Sequence, residues 1–233
     1  MNGWLVLALL ILSSSLPALA VFLWFRIARY QFSSIRFLLV LLTGAAAFFP
    51  ALILQSFFPS DFYVAGRIGL LVQIFLPIAL TEETSRLIVL LVFFAVARRI
   101  DGKNDVSALA VTYGTVVGLI AGFGFAILES AAYGAANADV ILLRLFTAAP
   151  IHGACGARVG SAAVLFRSHP GQGLLRFLTA VVIHGIYNSM IVIPGFASIA
   201  AVLIALFSLA SVVLSIRGGM KRKADEPIPG LVK

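Results

Sequence analysis

The feature that most constrains this chain is a cluster of charged residues inside a long apolar run. Residues 68–97 suit a lipid bilayer, but Glu82, Glu83 and Arg86 interrupt them. A charge at the centre of a bilayer costs about 2.5–3.5 kcal/mol even on lenient insertion scales. On a helix, Arg86 follows Glu82 by four residues and Glu83 by three, so its guanidinium can reach either carboxylate. Because one arginine leaves one carboxylate uncompensated, the cluster indicates a functional site rather than a simple ion pair between helices.

The composition around this cluster is that of a polytopic membrane protein. Of the 233 residues, 61% are hydrophobic and only 11% are charged, which excludes a water-soluble domain. Apolar runs predict an all-α fold of about seven transmembrane helices, near 4–25, 37–58, 68–97, 106–134, 140–166, 175–193 and 196–216. We expect one membrane domain over residues 1–216, with its motif-bearing core at 68–193. Residues 217–233 then form a basic, disordered cytoplasmic tail.

The net charge of +8 follows the predicted loops and does not require a nucleic acid partner. The segments after helices one, three, five and seven are basic, whereas the opposite loops contain only Arg67. By the positive-inside rule, the amino terminus lies outside and the carboxyl terminus in the cytoplasm, so we expect a multi-pass protein of the cell membrane in contact with the lipid bilayer. The basic residues are Arg26, Arg29, Arg36, Arg98, Arg99, Lys103, Arg167, Arg176, Arg217, Lys221, Arg222 and Lys223.

Two patterns predict how the helices are built near the charged cluster. Pro77 lies just over one turn before Glu82, and a proline inside a helix removes a backbone donor and kinks the helix. We therefore expect an opened backbone beside the cluster. Gly114, Gly118 and Gly122 recur every four residues, a pattern that lets membrane helices approach closely.

Further polar residues fall at membrane depth on the other predicted helices. His184 and Asn188 share one helix face, four residues apart, and can present two polar groups to one ligand. Arg144 lies near a helix end, where we expect it either to extend toward the interface or to pair with Asp139 or Glu129. We expect Arg158 to form a structural ion pair. The full intramembrane set is Glu82, Glu83, Arg86, Glu129, Arg144, His152, Arg158, His184 and Asn188.

This set contains the minimum for hydrolysis of an amide. A carboxylate can take a proton from water, and imidazole and amide donors can hold an oxyanion. The alternative is a zinc site in which His152, His184 and Glu129 are ligands and water is the fourth. The absence of a His-x-x-x-His pattern favours the reaction without a metal, so no cofactor is assigned and zinc stays the alternative. A proton- or ion-coupled carrier using the same groups as a relay is a second reading, and a catalytically silent relative is a third.

The motifs in this set resemble those of a known family. Glu82-Glu83-x-x-Arg86, Phe125-x-x-x-Glu129, His152-Gly and His184-Gly-Ile-Tyr-Asn188 are similar to the four motifs of the PrsW intramembrane proteases. That family shares a superfamily with CAAX prenyl endopeptidases and bacteriocin-processing proteins. Arg86 departs from the lysine usual in PrsW, and Asn188 matches the CAAX branch, whereas Glu129 matches PrsW.

The resemblance implies an endopeptidase that cuts membrane-anchored proteins, as in the first cleavage of an anti-sigma factor; a CAAX-type peptidase is the alternative within the superfamily. In this reading Glu82 or Glu83 is the general base for a water, and Arg86 keeps the other glutamate ionised. His152 orients the water or protonates the leaving amine. His184 and Asn188 stabilise the oxyanion. Glu129 orients a histidine or completes a metal site.

Overall fold

The computed structural model describes residues 3–28, 30, 32–58, 66–101, 108–134, 140–192 and 196–225. Every element within these ranges is helical, which confirms the predicted all-α class. In chain order the elements are α1 Gly3–Ile27, α2 Ser34–Ala46, α3 Phe48–Ser56, α4 Gly66–Gln73, a π-helical segment Ile74–Leu80, α5 Thr81–Asp101, α6 Ala108–Gly134, α7 Val140–Leu165, α8 Pro170–Ile191 and α9 Phe196–Asp225.

Five helices among the described residues are long and apolar enough to cross a membrane. They are Leu7–Ile27, Ser34–Ser56, Ala110–Ala132, Pro170–Ile191 and Ile199–Met220. The other two predicted spans correspond to α4 through α5, which carries Glu82, Glu83 and Arg86, and to α7, which carries His152. The number of seven transmembrane helices and the orientation of the two termini across the membrane therefore stay predictions. Several loops that set the orientation, including 59–65 and 102–107, lie outside the described residues.

The tail prediction needs a correction at its start. We expected a disordered segment from Arg217, but α9 continues as a helix to Asp225. The reason is local, because the added residues include arginine, lysine, methionine and alanine, which are good helix formers. Residues 226–233 lie outside the described residues.

α6 lies at the centre of the bundle and packs against α1, α2, α7 and α9. Its candidate span is 72% buried, whereas the other four spans are 18–39% buried. The outer helices instead expose large apolar side chains such as Leu12, Ile53 and Leu214, which suit contact with lipid. Glu129 lies near the carboxyl-terminal end of this central helix.

Glycines hold α6 and α7 close together, as the four-residue repeat predicted. Gly118 contacts the backbone of Gly156 and Gly160, and Gly122 contacts that of His152 and Gly153. A side chain added at Gly118 would place its Cβ 2.9 Å from the Cα of Gly160, too close for any other residue. This contact fixes the α7 backbone at His152 against α6.

Two irregular backbone features flank the charged cluster. The π-helical segment contains Pro77, and the hydroxyl of Thr81 donates to the carbonyl of Pro77 over 2.6 Å. This agrees with the predicted opening, since π-helical turns often accompany functional sites. On the other side, α2 and α3 break at Ala47, whose carbonyl accepts a hydrogen bond from Ser85. Both features position the first turn of α5.

Candidate active site

Four helices bring the predicted polar residues into one buried cluster. Glu82, Glu83 and Arg86 come from the first two turns of α5, and His152 and His184 come from the middle of α7 and of α8. Their exposed fractions are 3%, 0%, 1%, 2% and 1%, so the cluster is almost fully removed from the surface. Glu129, near the end of α6, joins the cluster beside His152.

Arg86 is the centre of the charge network. Its Nη1 lies 2.9 Å from Oε1 of Glu83, and its Nη2 lies 3.5 Å from Oε2 of Glu82. The predicted reach to both carboxylates is therefore present, with Glu83 the closer partner. The guanidinium also lies 4.5 Å from the ring centroid of Phe125, a cation–π contact that holds it from the α6 side.

The contacts of His152 determine its tautomer. Nη2 of Arg86 lies 3.0 Å from Nδ1 of His152, and a guanidinium can only donate, so Nδ1 accepts. In the neutral ring the proton is then on Nε2, which lies 2.6 Å from Oε2 of Glu129. His152 thus presents a proton donor toward Glu129, and the two form a unit that can exchange a proton.

His184 has the opposite tautomer. Its Nδ1 lies 2.8 Å from Oε1 of Glu83, and this carboxylate, already paired with Arg86, accepts the proton of Nδ1. Nε2 therefore carries a lone pair, and it faces Oε2 of Glu82 across 3.8 Å. The two imidazole rings meet edge to face, with centroids 4.9 Å apart. The lone pair of His184 Nε2 and Oε2 of Glu82, which has only the 3.5 Å contact from Arg86, can therefore face a common ligand.

Glu82, His152 and His184 together could hold a metal ion, because their donor atoms all lie within 4.8 Å of one another. Two imidazoles and a carboxylate are a ligand set of catalytic zinc sites, which keep one position for water. Glu83 supplies the outer carboxylate that commonly orients a ligating histidine. The donor chemistry fits a divalent cation, although both nitrogens of His152 already have partners. The carboxylate of this group is Glu82, whereas the sequence suggested Glu129.

Besides Nε of Arg86, two polar groups of the predicted set have side-chain atoms without a hydrogen-bond partner among the described residues. Asn188 lies one turn after His184 on α8 and is half-buried, and its side-chain amide forms no hydrogen bond there. Oε2 of Glu83 is fully buried and equally unsatisfied. A buried polar atom without a partner is costly, so these groups are suited to a water or a substrate.

A cavity of about 190 Å³ leads to the cluster between α3 and α6. Glu82 and Glu129 are its two acidic lining residues, and Phe48, Gln55 and Phe125 form much of its wall. The sequence did not identify Phe48 or Gln55 as site residues. Gln55 gave one weak signal, an amide near the end of an apolar run, but the pairing of α3 with α6 was not visible.

The expected ion pair of Arg158 is absent. Nη1 of Arg158 donates to the carbonyl of Ala154 over 2.9 Å, and Nη2 donates to Oγ of Ser211 over 3.0 Å. Within the described part of the chain, no carboxylate lies within ion-pair distance of Arg158. The reason is placement, because Arg158 faces α9, whereas the site carboxylates lie on α5 and α6. The side chain of Arg144 lies outside the described residues.

Comparison with known proteins assigns a family to this arrangement. Residues 34–214 match the family described as PrsW family intramembrane metalloprotease, which is more than three quarters of the 233 residues. The match runs from α2 into α9 and contains every residue of the site. No match was found among the curated proteins or the solved structures. The protein is a multi-pass integral membrane protein, and it belongs to the PrsW family of intramembrane proteases.

Proposed function

We propose that this protein is an endopeptidase that hydrolyses a peptide bond of a membrane-anchored protein, with water activated among Glu82, His152 and His184. The observation that carries the proposal is the convergence of those donor atoms within 4.8 Å at the end of a cavity. A first cleavage of an anti-sigma factor is the substrate class implied by the motifs. The family match supports the peptidase over a carrier with the same buried groups.

Glu82, His152 and His184 would hold a divalent cation, with zinc the first candidate. When bound, such an ion makes a water molecule acidic near neutral pH and polarises a carbonyl. His184 is suited to this role because Glu83 holds the proton on Nδ1 and leaves the lone pair of Nε2 open. We accordingly propose His184 as a ligand and not as an oxyanion donor.

Glu129 is proposed to move the protons. Glu129 lines the cavity and lies 2.6 Å from Nε2 of His152, which holds it in place, so its carboxylate can accept the proton of the attacking water. The same carboxyl group then delivers that proton to the leaving amine. Asn188 is proposed to donate to the tetrahedral oxyanion, because its amide has no hydrogen bond to the described residues.

A metal-free variant is favoured by one observation. Nδ1 of His152 faces the guanidinium of Arg86 at 3.0 Å, and a cation there disfavours a second cation on that atom. In this variant Glu82 itself is the general base, as the motifs imply. The two mechanisms differ in the general base. Glu129 is the base when Glu82 binds the metal ion, and Glu82 is the base when no metal is bound.

The topology proposed with this function has seven spans, an outer amino terminus and a cytoplasmic carboxyl terminus, in the cell membrane. Gln55 lies one residue before the end of α3, and Glu129 lies three residues before the end of the Ala110–Ala132 span. In this topology both ends face outward. The cavity then opens toward the outer surface, where water can enter.

Proteomics of membranes with labelled amino termini tests the function. Cells carrying the wild type are compared with cells carrying Glu82→Gln, and Arg167→Gln serves as the control because Arg167 is exposed in the α7–α8 turn. We expect new termini from at least one membrane-anchored protein with the wild type and the control, and the intact substrate with Glu82→Gln. A carrier or a silent relative would leave the termini identical in all three strains, which would overturn the proposal.

A further inference from the structure

The cavity at the active site has room for one side chain and not for a helix. Its volume is about 190 Å³, and residues of α3, α5 and α6 line it. One turn of a helix about 10 Å across fills roughly 400 Å³, so a substrate cannot enter in helical form. A cavity of about 150 Å³ is large enough for one benzene ring. The volume therefore suits one large side chain of an unwound segment.

The deep end of this cavity is apolar. Ala51 and Phe125 are each 1% exposed and belong to a small apolar cluster whose residues are separate from the main core. Phe48 packs against this cluster, with its ring centroid 5.8 Å from that of Phe125. Because Ala51 carries only a methyl group, it leaves space beside the two rings. An apolar side chain of the substrate gains most from this environment, since a polar one would lose its hydrogen bonds there.

A side chain in the deep end would lie next to the reacting groups. Glu82 and Glu129 line the same cavity, and the ring of Phe125 lies 5.3 Å from that of His152. Both carboxylates already have partners, with Arg86 at 3.5 Å from Glu82 and His152 at 2.6 Å from Glu129. A basic side chain of the substrate would compete with these contacts. The occupant is therefore apolar and belongs to a residue beside the scissile bond.

The mouth of the cavity is suited to an unwound backbone. Leu52 is 47% exposed, and Ala132 is exposed in the last turn of α6. Gln55 is half-buried between them in exposure, and its side-chain amide forms no hydrogen bond with the described residues. An unwound segment at membrane depth has backbone groups that need partners. The amide of Gln55 can both donate to and accept from such groups.

We propose that this cavity binds one large apolar side chain of the substrate, such as leucine, methionine or phenylalanine, directly beside the scissile bond. Phe48 limits the size of that side chain at the deep end, and Ala132 limits it at the mouth. This inference rests on the proposed peptidase function, and it adds the class of residue at which the substrate is cut.

Replacement of the residues at the cut tests this inference. The substrate is one whose new terminus appears with the wild type and not with Glu82→Gln. Each of the two residues flanking its scissile bond is changed in turn to glycine, alanine, leucine, phenylalanine, tryptophan and lysine. At one of the two positions, we expect the wild type to cut leucine and phenylalanine at least about tenfold faster than alanine or lysine. Rates are compared as ratios within one enzyme variant, because a lower amount of folded enzyme reduces all of them equally.

Two variants should change these ratios in opposite directions. Phe48→Ala enlarges the deep end and should raise the rate for tryptophan relative to leucine about tenfold. Ala132→Leu narrows the mouth and should lower the rate for phenylalanine relative to alanine about tenfold; since Ala132 is exposed, we expect this variant to fold. Phe49→Ala is the matched control, because Phe49 is the next residue of α3, is 60% exposed and does not line the cavity. It should keep the wild-type ratios.

The outcomes separate this inference from the peptidase function. Wild-type ratios in both Phe48→Ala and Ala132→Leu would overturn the inference and leave the peptidase function standing. A preference of the wild type for lysine or glycine, or the same change of ratios in Phe49→Ala as in Phe48→Ala, would do the same. Absence of any terminus that depends on Glu82 would overturn both.

Discussion

At the scale of single residues, the site depends on which of two carboxylates, Glu82 or Glu83, forms the closer ion pair with Arg86. Arg86 lies 2.9 Å from Glu83 and 3.5 Å from Glu82, so its positive charge mainly neutralises the carboxylate of Glu83. Glu82 lines the cavity and faces the open nitrogen of His184. Glu83 is thus the orienting carboxylate, and Glu82 is the one available for chemistry.

The role of Glu83 can be tested through His184. Glu83→Gln removes the anionic acceptor of Nδ1, so His184 loses the contact that fixes its tautomer. Loss of such an outer contact typically costs 10–100-fold in activity or metal affinity, and we expect a loss of about that size. Peptidase rate and zinc affinity should be measured together on folded protein. Unchanged values for both would contradict the orienting role.

Metal removal separates the two mechanistic variants. If Glu82, His152 and His184 hold zinc, strong chelation should abolish activity, and added zinc should restore it. His184→Gln should lose the bound metal, whereas His169→Gln should keep it, because His169 is exposed and outside the cluster. Metal analysis of the three purified proteins gives the answer. Full activity after chelation, with no metal in the wild type, would leave Glu82 as the general base.

The sequence identified the candidate residues because charges and imidazoles at membrane depth are conspicuous among apolar neighbours. It could not decide which carboxylate joins the histidines, since that depends on the side-chain conformations of Glu82 and Glu129. It also suggested an ion pair for Arg158, which has no carboxylate partner among the described residues. The position of Arg158 in its own helix does not show which neighbouring helix its side chain faces.

At the scale of helices, the contact between α6 and α7 positions His152 and Glu129 on adjacent elements. Gly122 lies against the backbone of His152, so the separation of the two helices sets the distance between that imidazole and Glu129. The glycine repeat predicted this contact. The break between α2 and α3 was not predicted, although Pro50 follows it by three residues and cannot donate to the carbonyl of Ala46. A hydroxyl from α5 also stabilises the break at Ala47.

Gly122→Ala tests the helix contact. The added Cβ would meet backbone atoms of His152 and Gly153, which cannot move aside as a flexible side chain could. We expect a loss of about 1–3 kcal/mol in the free energy of unfolding, together with reduced peptidase activity. Gly171→Ala is the control, because nothing lies within 4 Å of its added Cβ. Equal stability of the two variants would show that the close contact does not matter.

At the scale of the whole molecule, the cavity and the proposed topology fix where a substrate is cut. Glu129 and Gln55 lie near the ends of spans that both run outward in this topology. Glu82 lies near the middle of the predicted span at 68–97. A substrate helix must unwind locally to expose a carbonyl to the cluster. We therefore predict that the scissile bond lies in the outer half of the substrate's membrane span or just beyond it.

Mapping the new termini of a cleaved substrate tests this position. Cuts should cluster on the outer side, and a Gln55→Leu variant should shift or slow them, because its amide lines the cavity. Cuts on the cytoplasmic side would show that the orientation is wrong. The predicted number of spans came from the lengths of apolar runs, and α7 and the segment from α4 to α5 are not among the five candidate spans found in the described residues.

The most direct test of the central claim is cleavage of one identified substrate by the purified protein in nanodiscs. Wild type and Glu82→Gln are compared on the same substrate, with helical content and unfolding midpoint measured for both. Because Glu82 is the cavity-lining carboxylate of the cluster, we predict cleavage by the wild type and a loss of at least about a thousandfold in Glu82→Gln. Cleavage of the same bond at the wild-type rate by Glu82→Gln would contradict the account.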